Sequence, residues 1–304
     1  MSLTVVGSIA FDSVRTPFGE RDRMLGGSAV HFSLAARFFT EVHPVGPVGD
    51  DFPDEHVELL RSLGVEVEDI ERVPGGETFF WRGHYEADLN LAHTDETRLG
   101  VFADFDPKLS EASRTADILF LGNIQPDLQR RVRAQCDTRL AALDSMNLWI
   151  DQTKESLEAA IAEVDCVMLN DAEIRMLTRE PNLARAARAL METGPRIVVA
   201  KRGEYGAVLF TPNSSFALPG LLLEDVRDPT GAGDSFAGGF LGYLDMQGTN
   251  RFGDDALRRA MAYGTVLASF NVEAFGTERM VELTEDEIRE RYDQLRGMTH
   301  FETG

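Results

Sequence analysis

Cysteine occurs only at Cys136 and Cys166 in 304 residues, without metal-ligand spacing. That excludes a disulfide framework and leaves a reducing, cytoplasmic setting as the expectation. Lysine is nearly as scarce, at positions 108, 154 and 201, and Lys plus Arg number 30 against 51 Asp plus Glu. The net charge of −21 argues against nucleic acid as a partner, because a polyanion is held by charge of the opposite sign. This acidic excess suits a high-salt cytoplasm, and equally a GC-rich genome or a merely acidic surface. No apolar run approaches the ~20 residues of a membrane span, so no membrane is expected as partner. Residues 1–10 lack the basic start and long apolar centre of a signal peptide. A Gly-x4-Gly-Lys-Ser/Thr loop is missing too, which removes the Walker solution to phosphate binding.

What is present is a hydrophobic fraction of 43%, enough for one large α/β domain with an appendage. Apolar strand-like stretches recur at 3–9, 42–48, 65–70, 118–121, 147–151, 166–170 and 197–200. Helical spacing fills 28–39, 126–143, 154–163, 171–178 and 182–192, and a strand pair follows at 207–210 and 216–218. Strands alternating with helices predict a mostly parallel central sheet with helices on both faces. One stretch breaks the rhythm: 77–85 is aromatic and alternating, and 86–93 returns as a hairpin. With 13–25 it makes either a small separate sheet or an antiparallel edge of the main one. No repeat, linker or second-domain boundary is visible, so 1–304 reads as a single domain.

The chemistry concentrates at Asp228-Pro229-Thr230-Gly231-Ala232-Gly233-Asp234-Ser235-Phe236. The glycines let the backbone turn tightly and approach a ligand. The spacing of Phe236, Phe240, Leu241 and Leu244 is helical. Gly231, Ala232 and Gly233 thus present N–H groups at a helix N-terminus, where phosphates sit. Asp234 would repel a phosphate, yet a base that takes a proton from a hydroxyl attacking that phosphate belongs there. Asp12 follows the first strand, at the end where open parallel sheets bind ligands, or simply forms an Asx-turn. Gly26-Gly27 precedes a helix capped by Ser28. Asn170 and Glu173, one helical turn apart, suit either Mg²⁺ held through waters or a helix capping box.

These features, in order, resemble the ribokinase-like (PfkB) carbohydrate and nucleoside kinases over nearly the whole chain. Residues 228–236 look like the family's C-terminal signature, and Gly26-Gly27 with the helix after it like the N-terminal one. Val48-Gly49-Asp50-Asp51 with Leu63-Gly64-Val65 resembles the turn and helix between them. Asn170-Asp171-Ala172-Glu173 fits Asn-x-x-Glu, and Lys201-Arg202-Gly203 stands at the nucleotide-binding turn. The resemblance implies ATP-dependent phosphorylation of a hydroxyl on a sugar-like substrate, with Mg²⁺. It implies Asp234 as general base and the amides of Gly231, Ala232 and Gly233 as anion hole. Asp12, Gly26 and Gly27, with His31, would hold the acceptor. Asn170, Glu173, Lys201, Gly203, Thr230 and Asn271 would serve the nucleotide and its Mg²⁺. Asp228 with the 271–277 loop is placed for the monovalent cation, K⁺, that some members bind. Segments 13–25 and 77–98 would form a β-sheet lid that excludes water.

Two positions depart from the pattern: His31 replaces a frequent Asn, and Ala10 stands where ribokinases carry a sugar-binding Asn. Both remove amide contacts, so ribose itself is disfavoured. Phe79, Trp81 and Tyr85 either stack on the base of a nucleoside or pack the lid, where a homodimer would form unless charged edges keep the chain monomeric. The leading expectation is a sugar kinase; the rivals are a nucleoside kinase and a ligand-binding relative without turnover.

Overall fold

Strands that are apolar on both sides must be covered on both sides, and that demand sets the architecture. The computed structural model describes residues 1–249 and 252–300. From the amino end come β1 (Ser2–Val6), β2 (Ala10–Thr16), β3 (Gly19–Gly26) and α1 (Ser28–Ala36). Then follow β4 (Glu41–Val48), α2 (Asp54–Ser62), β5 (Ile70–Arg72), β6 (Phe79–Tyr85) and β7 (Ala92–Arg98). The middle holds α3 (Glu111–Arg114), β8 (Ile118–Leu121), α4 (Pro126–Arg133), β9 (Leu140–Leu143), α5 (Asn147–Gln152) and α6 (Lys154–Ile161). Next are β10 (Cys166–Asn170), α7 (Asp171–Thr178), α8 (Leu183–Met191), β11 (Ile197–Lys201), β12 (Ala207–Phe210) and β13 (Ser215–Leu218). The chain closes with α9 (Ala232–Met246), α10 (Asp254–Asn271), α11 (Glu278–Glu282) and α12 (Glu285–Thr299).

Nine strands form one sheet in the order β13-β12-β11-β10-β9-β8-β1-β4-β5, in which β12 alone runs opposite to the rest and so pairs antiparallel with β11 and β13. Alternate side chains feed two cores. Leu3, Val5, Ile118 and Phe120 point into the layer with α1, α9 and α10, where Phe120 stacks on Phe32 at 4.5 Å. Val6, Leu119, Leu121, Val167 and Leu169 point into the opposite layer with α4, α6 and α8. β3, β2, β6 and β7 form a separate four-stranded sheet. Among the described residues no helix is long and apolar enough to cross a membrane.

The packing of α9 positions the site. A Cβ on Gly238 would collide with the Phe32 carbonyl of α1, and one on Gly264 of α10 with the Phe236 carbonyl of α9. The three helices therefore touch backbone to backbone. Gly231 packs on His31, and Gly242 on Ala36, so α1 and α9 run side by side in one direction. Their N-termini meet at one end of the sheet, which places Gly27 near Gly231.

Several local expectations are corrected. The stretch 147–151 is a helix, α5, and the sheet draws its strand from Leu140–Leu143 inside the segment that reads as helical. Ala and Leu favour helix, but all four residues are buried between β8 and β10, and ladder pairing overrides propensity. The strand expected at 65–70 shrinks to Ile70–Arg72, with Val65 making only an isolated bridge to Val42. The aromatic strand's partner is Ala92–Arg98 rather than 86–93. Ser28 does not cap α1: Gly27 stands at the N-cap, and Ser28 Oγ accepts the Ser8 N–H instead. Asp12 lies within β2 of the small sheet, not on a loop leaving β1.

Candidate active site

The stretch from Asp228 folds as the sequence suggests. The Ala232 N–H donates to the Pro229 carbonyl at 3.2 Å, and Gly231 has φ 76° and ψ −1°. Those angles belong to the third residue of a type II turn, a place for glycine. Helix α9 starts there, with Ser235 N–H on the Gly231 carbonyl at 2.8 Å. The buried Asp228 ties the turn down: its Oδ1 accepts the Thr230 N–H and its Oδ2 the Gly276 N–H, each at 2.9 Å. Burial raises this carboxyl above its ordinary range against the pull of those amides. Asp228 thus joins the turn to the 271–277 loop. Of the three amides expected in the anion hole, that of Ala232 closes the turn.

Asp234 lies half-buried in the first turn of α9. Burial, with the charges of Asp144 and Asp12, raises its carboxyl from 3.8 to about 7, while Lys201 opposes the rise. Lys201 ends β11, and its Nζ donates to Asp144 Oδ2 at 2.5 Å and packs against Gly233. Burial alone would lower Lys201, but Asp144, Glu173 and Asp234 hold it above its ordinary value. Asp144 directly follows β9 and is a site residue that sequence reasoning missed. The carboxyl end of a strand is its signal, hidden by the helical reading of 126–143.

Asp12 faces this centre from β2. Its Oδ2 accepts the Gly27 N–H at 3.1 Å, and a Cβ on Gly26 would collide with its carboxylate. Only 6% exposed, Asp12 is raised to about 7 by burial and by Asp228, against the Gly27 amide. Asp12, Gly26 and Gly27 are therefore brought together. His31 sits apart from open space: it is buried, its ring under Gly231, with Nδ1 2.9 Å from Asn271 Oδ1. Burial lowers His31 to about 4, so it is neutral near pH 7. Asn271 Nδ2 donates to the Thr230 carbonyl at 2.7 Å, which places Asn271 beneath the turn.

The small sheet reaches over both halves of the site. Tyr85 Oη lies 3.2 Å from Thr230 Oγ1, and burial raises the phenol above its ordinary range. At the tip between β6 and β7, Asn90 Oδ1 accepts the Glu204 N–H at 3.2 Å and covers Gly203. Asn170 and Glu173 form a full capping box at the start of α7, each side chain accepting the other's N–H at 2.8 Å. Glu173 is raised to about 7 by burial and by Asp144. Among the described residues no three His, Cys, Asp or Glu side chains gather to cage a metal. The cap takes the single side-chain oxygen of Asn170 and one of the two carboxylate oxygens of Glu173, so the other Glu173 oxygen and the second lone pair of Asn170 Oδ1 are what the pair offers to waters around Mg²⁺.

The profile of the family described as "pfkB family carbohydrate kinase" matches residues 17–283. A cytidine kinase of Thermococcus kodakarensis is 29% identical over 79% of this chain and 87% of its own. A nucleoside kinase of Methanothermobacter thermautotrophicus is 25% identical over 94% of both chains. Among solved structures, a nucleoside kinase of Burkholderia thailandensis in complex with inosine superposes with a TM-score of 0.80 at 18% identity. The overlap covers 97% of this chain and 98% of that one.

Proposed function

The chain belongs to the pfkB family of carbohydrate kinases, and from that membership we propose that it transfers the γ-phosphoryl group of ATP to a hydroxyl of a nucleoside. The observation that carries the mechanism is Asp234, a carboxylate at the Gly231 turn held up to about 7. A base works best when its pKa lies near the operating pH. Asp234 takes the proton of the acceptor hydroxyl as that oxygen attacks phosphorus. The N–H groups of Gly231 and Gly233 and the Lys201 ammonium face the charge of the moving phosphoryl group. Asp12, fixed by Gly27, accepts a hydrogen bond from a second acceptor hydroxyl. Glu173 and Asn170 would hold Mg²⁺ through waters, and the ion would supply charge neutralisation on the phosphates. Tyr85 and Asn90 hold the small sheet over the turn as a lid, keeping water from the phosphoryl group.

Two observations favour a nucleoside over a free sugar. Trp81 is paired with Asp12 across the parallel strands β2 and β6, on the strand face that carries Tyr85 to Thr230. Neighbours in that register share a face, so the Trp81 ring, which lies over Gly83 with Nε1 donating to Thr94 Oγ1 at 3.2 Å, is an aromatic plate on the sheet face of the carboxylate that holds the acceptor. The relatives named for nucleosides point the same way. The test is ADP release over a panel of ribonucleosides and their free sugars. Nucleosides are expected to lead in kcat/KM by at least about tenfold, with Trp81→Ala narrowing the gap. A free sugar in the lead would make this a sugar kinase and leave Asp234 in its role.

A further inference from the structure

The mechanism leaves unused a buried chain of polar groups beneath the Gly231 turn. Carbonyl oxygens only accept, so the Asn271 group 2.7 Å from the Thr230 carbonyl is its Nδ2. Asn271 Oδ1 then faces His31 Nδ1 at 2.9 Å and the Ser235 hydroxyl at 3.0 Å. An oxygen acceptor requires His31 to carry its proton on Nδ1. The other nitrogen, Nε2, is buried without a partner, as expected of the unprotonated side of a neutral ring. Proton positions therefore run in one direction, from His31 to Asn271 to the Thr230 carbonyl. His31 is 1% exposed and Asn271 1% exposed, so water does not compete for these bonds.

The Thr230–Gly231 peptide is the central peptide of the turn, and type I and type II turns differ by a flip of that unit. In a trans peptide the C=O and the next N–H point in opposite directions. Holding the Thr230 carbonyl down toward Asn271 therefore aims the Gly231 N–H up, away from the buried network and toward the side where Tyr85 meets Thr230. The His31 ring fills the space under Gly231, where a Cβ would collide with it. We propose that His31 and Asn271 are positioning residues that lock the Thr230–Gly231 peptide in the orientation that turns the Gly231 N–H toward the transferring phosphoryl group. His31 thus acts through the anion hole and makes no contact with the acceptor. The proposal rests on the reading of this turn as a phosphoryl site, which Asp234→Asn tests separately.

Three variants decide it, with folding checked by thermal melts. His31→Phe keeps a ring but loses the donor. Asn271→Leu keeps the bulk and loses all three bonds. His31→Asn puts an N–H₂ where Nδ1–H stood. The first two are expected to lower kcat by about 10–100-fold while ADP affinity and acceptor KM stay within about threefold. His31→Asn recovers most of the turnover that His31→Phe loses. Aluminium fluoride with ADP, a mimic of the transferring group, should bind His31→Phe and Asn271→Leu more weakly by a similar factor. The double variant His31→Phe/Asn271→Leu should be no worse than Asn271→Leu, since both act through one bond. Unchanged kcat in folded Asn271→Leu would overturn the proposal, as would His31→Asn being as impaired as His31→Phe. If His31→Phe does not fold, comparing Asn271→Leu with His31→Asn decides by the same criterion. Loss of turnover in Asp234→Asn alone would leave the kinase reading standing and this one refuted.

Discussion

Replacing Asp12 with Asn separates what this carboxylate costs the fold from what it gives the site. Asp12 is 6% exposed, and burial raises it from 3.8 to about 7. A folded-state value above the unfolded one means that the native protein holds its proton longer. The stability penalty therefore grows as pH rises from about 4 to 7 and is constant above that. At pH 8 the ionised carboxylate costs about 4 kcal/mol, and at pH 5 about 2 kcal/mol. Asn can still accept the Gly27 N–H through its Oδ1, but it buries an N–H₂ group, which offsets about 1–3 kcal/mol of the gain. The variant should melt higher than the parent by about 2–5 °C at pH 8, and within about 2 °C of it in either direction at pH 5. Acceptor KM should rise by at least about tenfold as a charge-assisted hydrogen bond is lost, with ADP affinity unchanged. Scanning calorimetry of both proteins at the two pH values is the assay. A lower melting point at pH 8, or an equal shift at both, would refute the burial argument.

Two further predictions concern the carboxylates around Lys201 and the far end of α9. Asp144→Asn removes a charge that raises Asp234 and frees Lys201 to lower it. The acidic limb of the kcat/KM profile should move down by about one pH unit, read from ADP release between pH 5 and 9. Arg139→Met strips the partner from the fully buried Asp245, a pair at 2.5 Å with 9% and 0% side-chain exposure. Urea unfolding should show a loss of about 3–5 kcal/mol. Turnover at low temperature should persist, because Asp245 stands eleven residues along α9 from Asp234, about 16 Å at 1.5 Å per residue.

Much of this was legible because the signals were local. Two-sided apolar runs such as 118–121 and 166–170 read as buried parallel strands, and they are β8 and β10. Pro229-Thr230-Gly231 announces a tight turn into a helix, and the turn is there. Asn170 and Glu173 carry capping-box spacing, and the box forms. What escaped depends on distant parts of the chain. Leu140–Leu143 has helix-favouring residues and becomes a strand only by lying between β8 and β10, so Asp144 at its end stayed hidden. Nothing local marks where the backbone leaves β1 for the small sheet, so the sequence alone puts Asp12 just past the end of the first strand rather than inside β2. His31 and Asn271 are 240 residues apart, and no periodicity pairs them.

The measurement closest to the central claim is turnover of Asp234→Asn with a saturating nucleoside and ATP, set beside the affinity of the same protein for ADP. Loss of the base should lower phosphoryl transfer by ~10²–10⁴ while the affinity stays within about twofold. Turnover equal to that of the parent would contradict the account, because the carboxylate held at about 7 would then have no part in moving the proton.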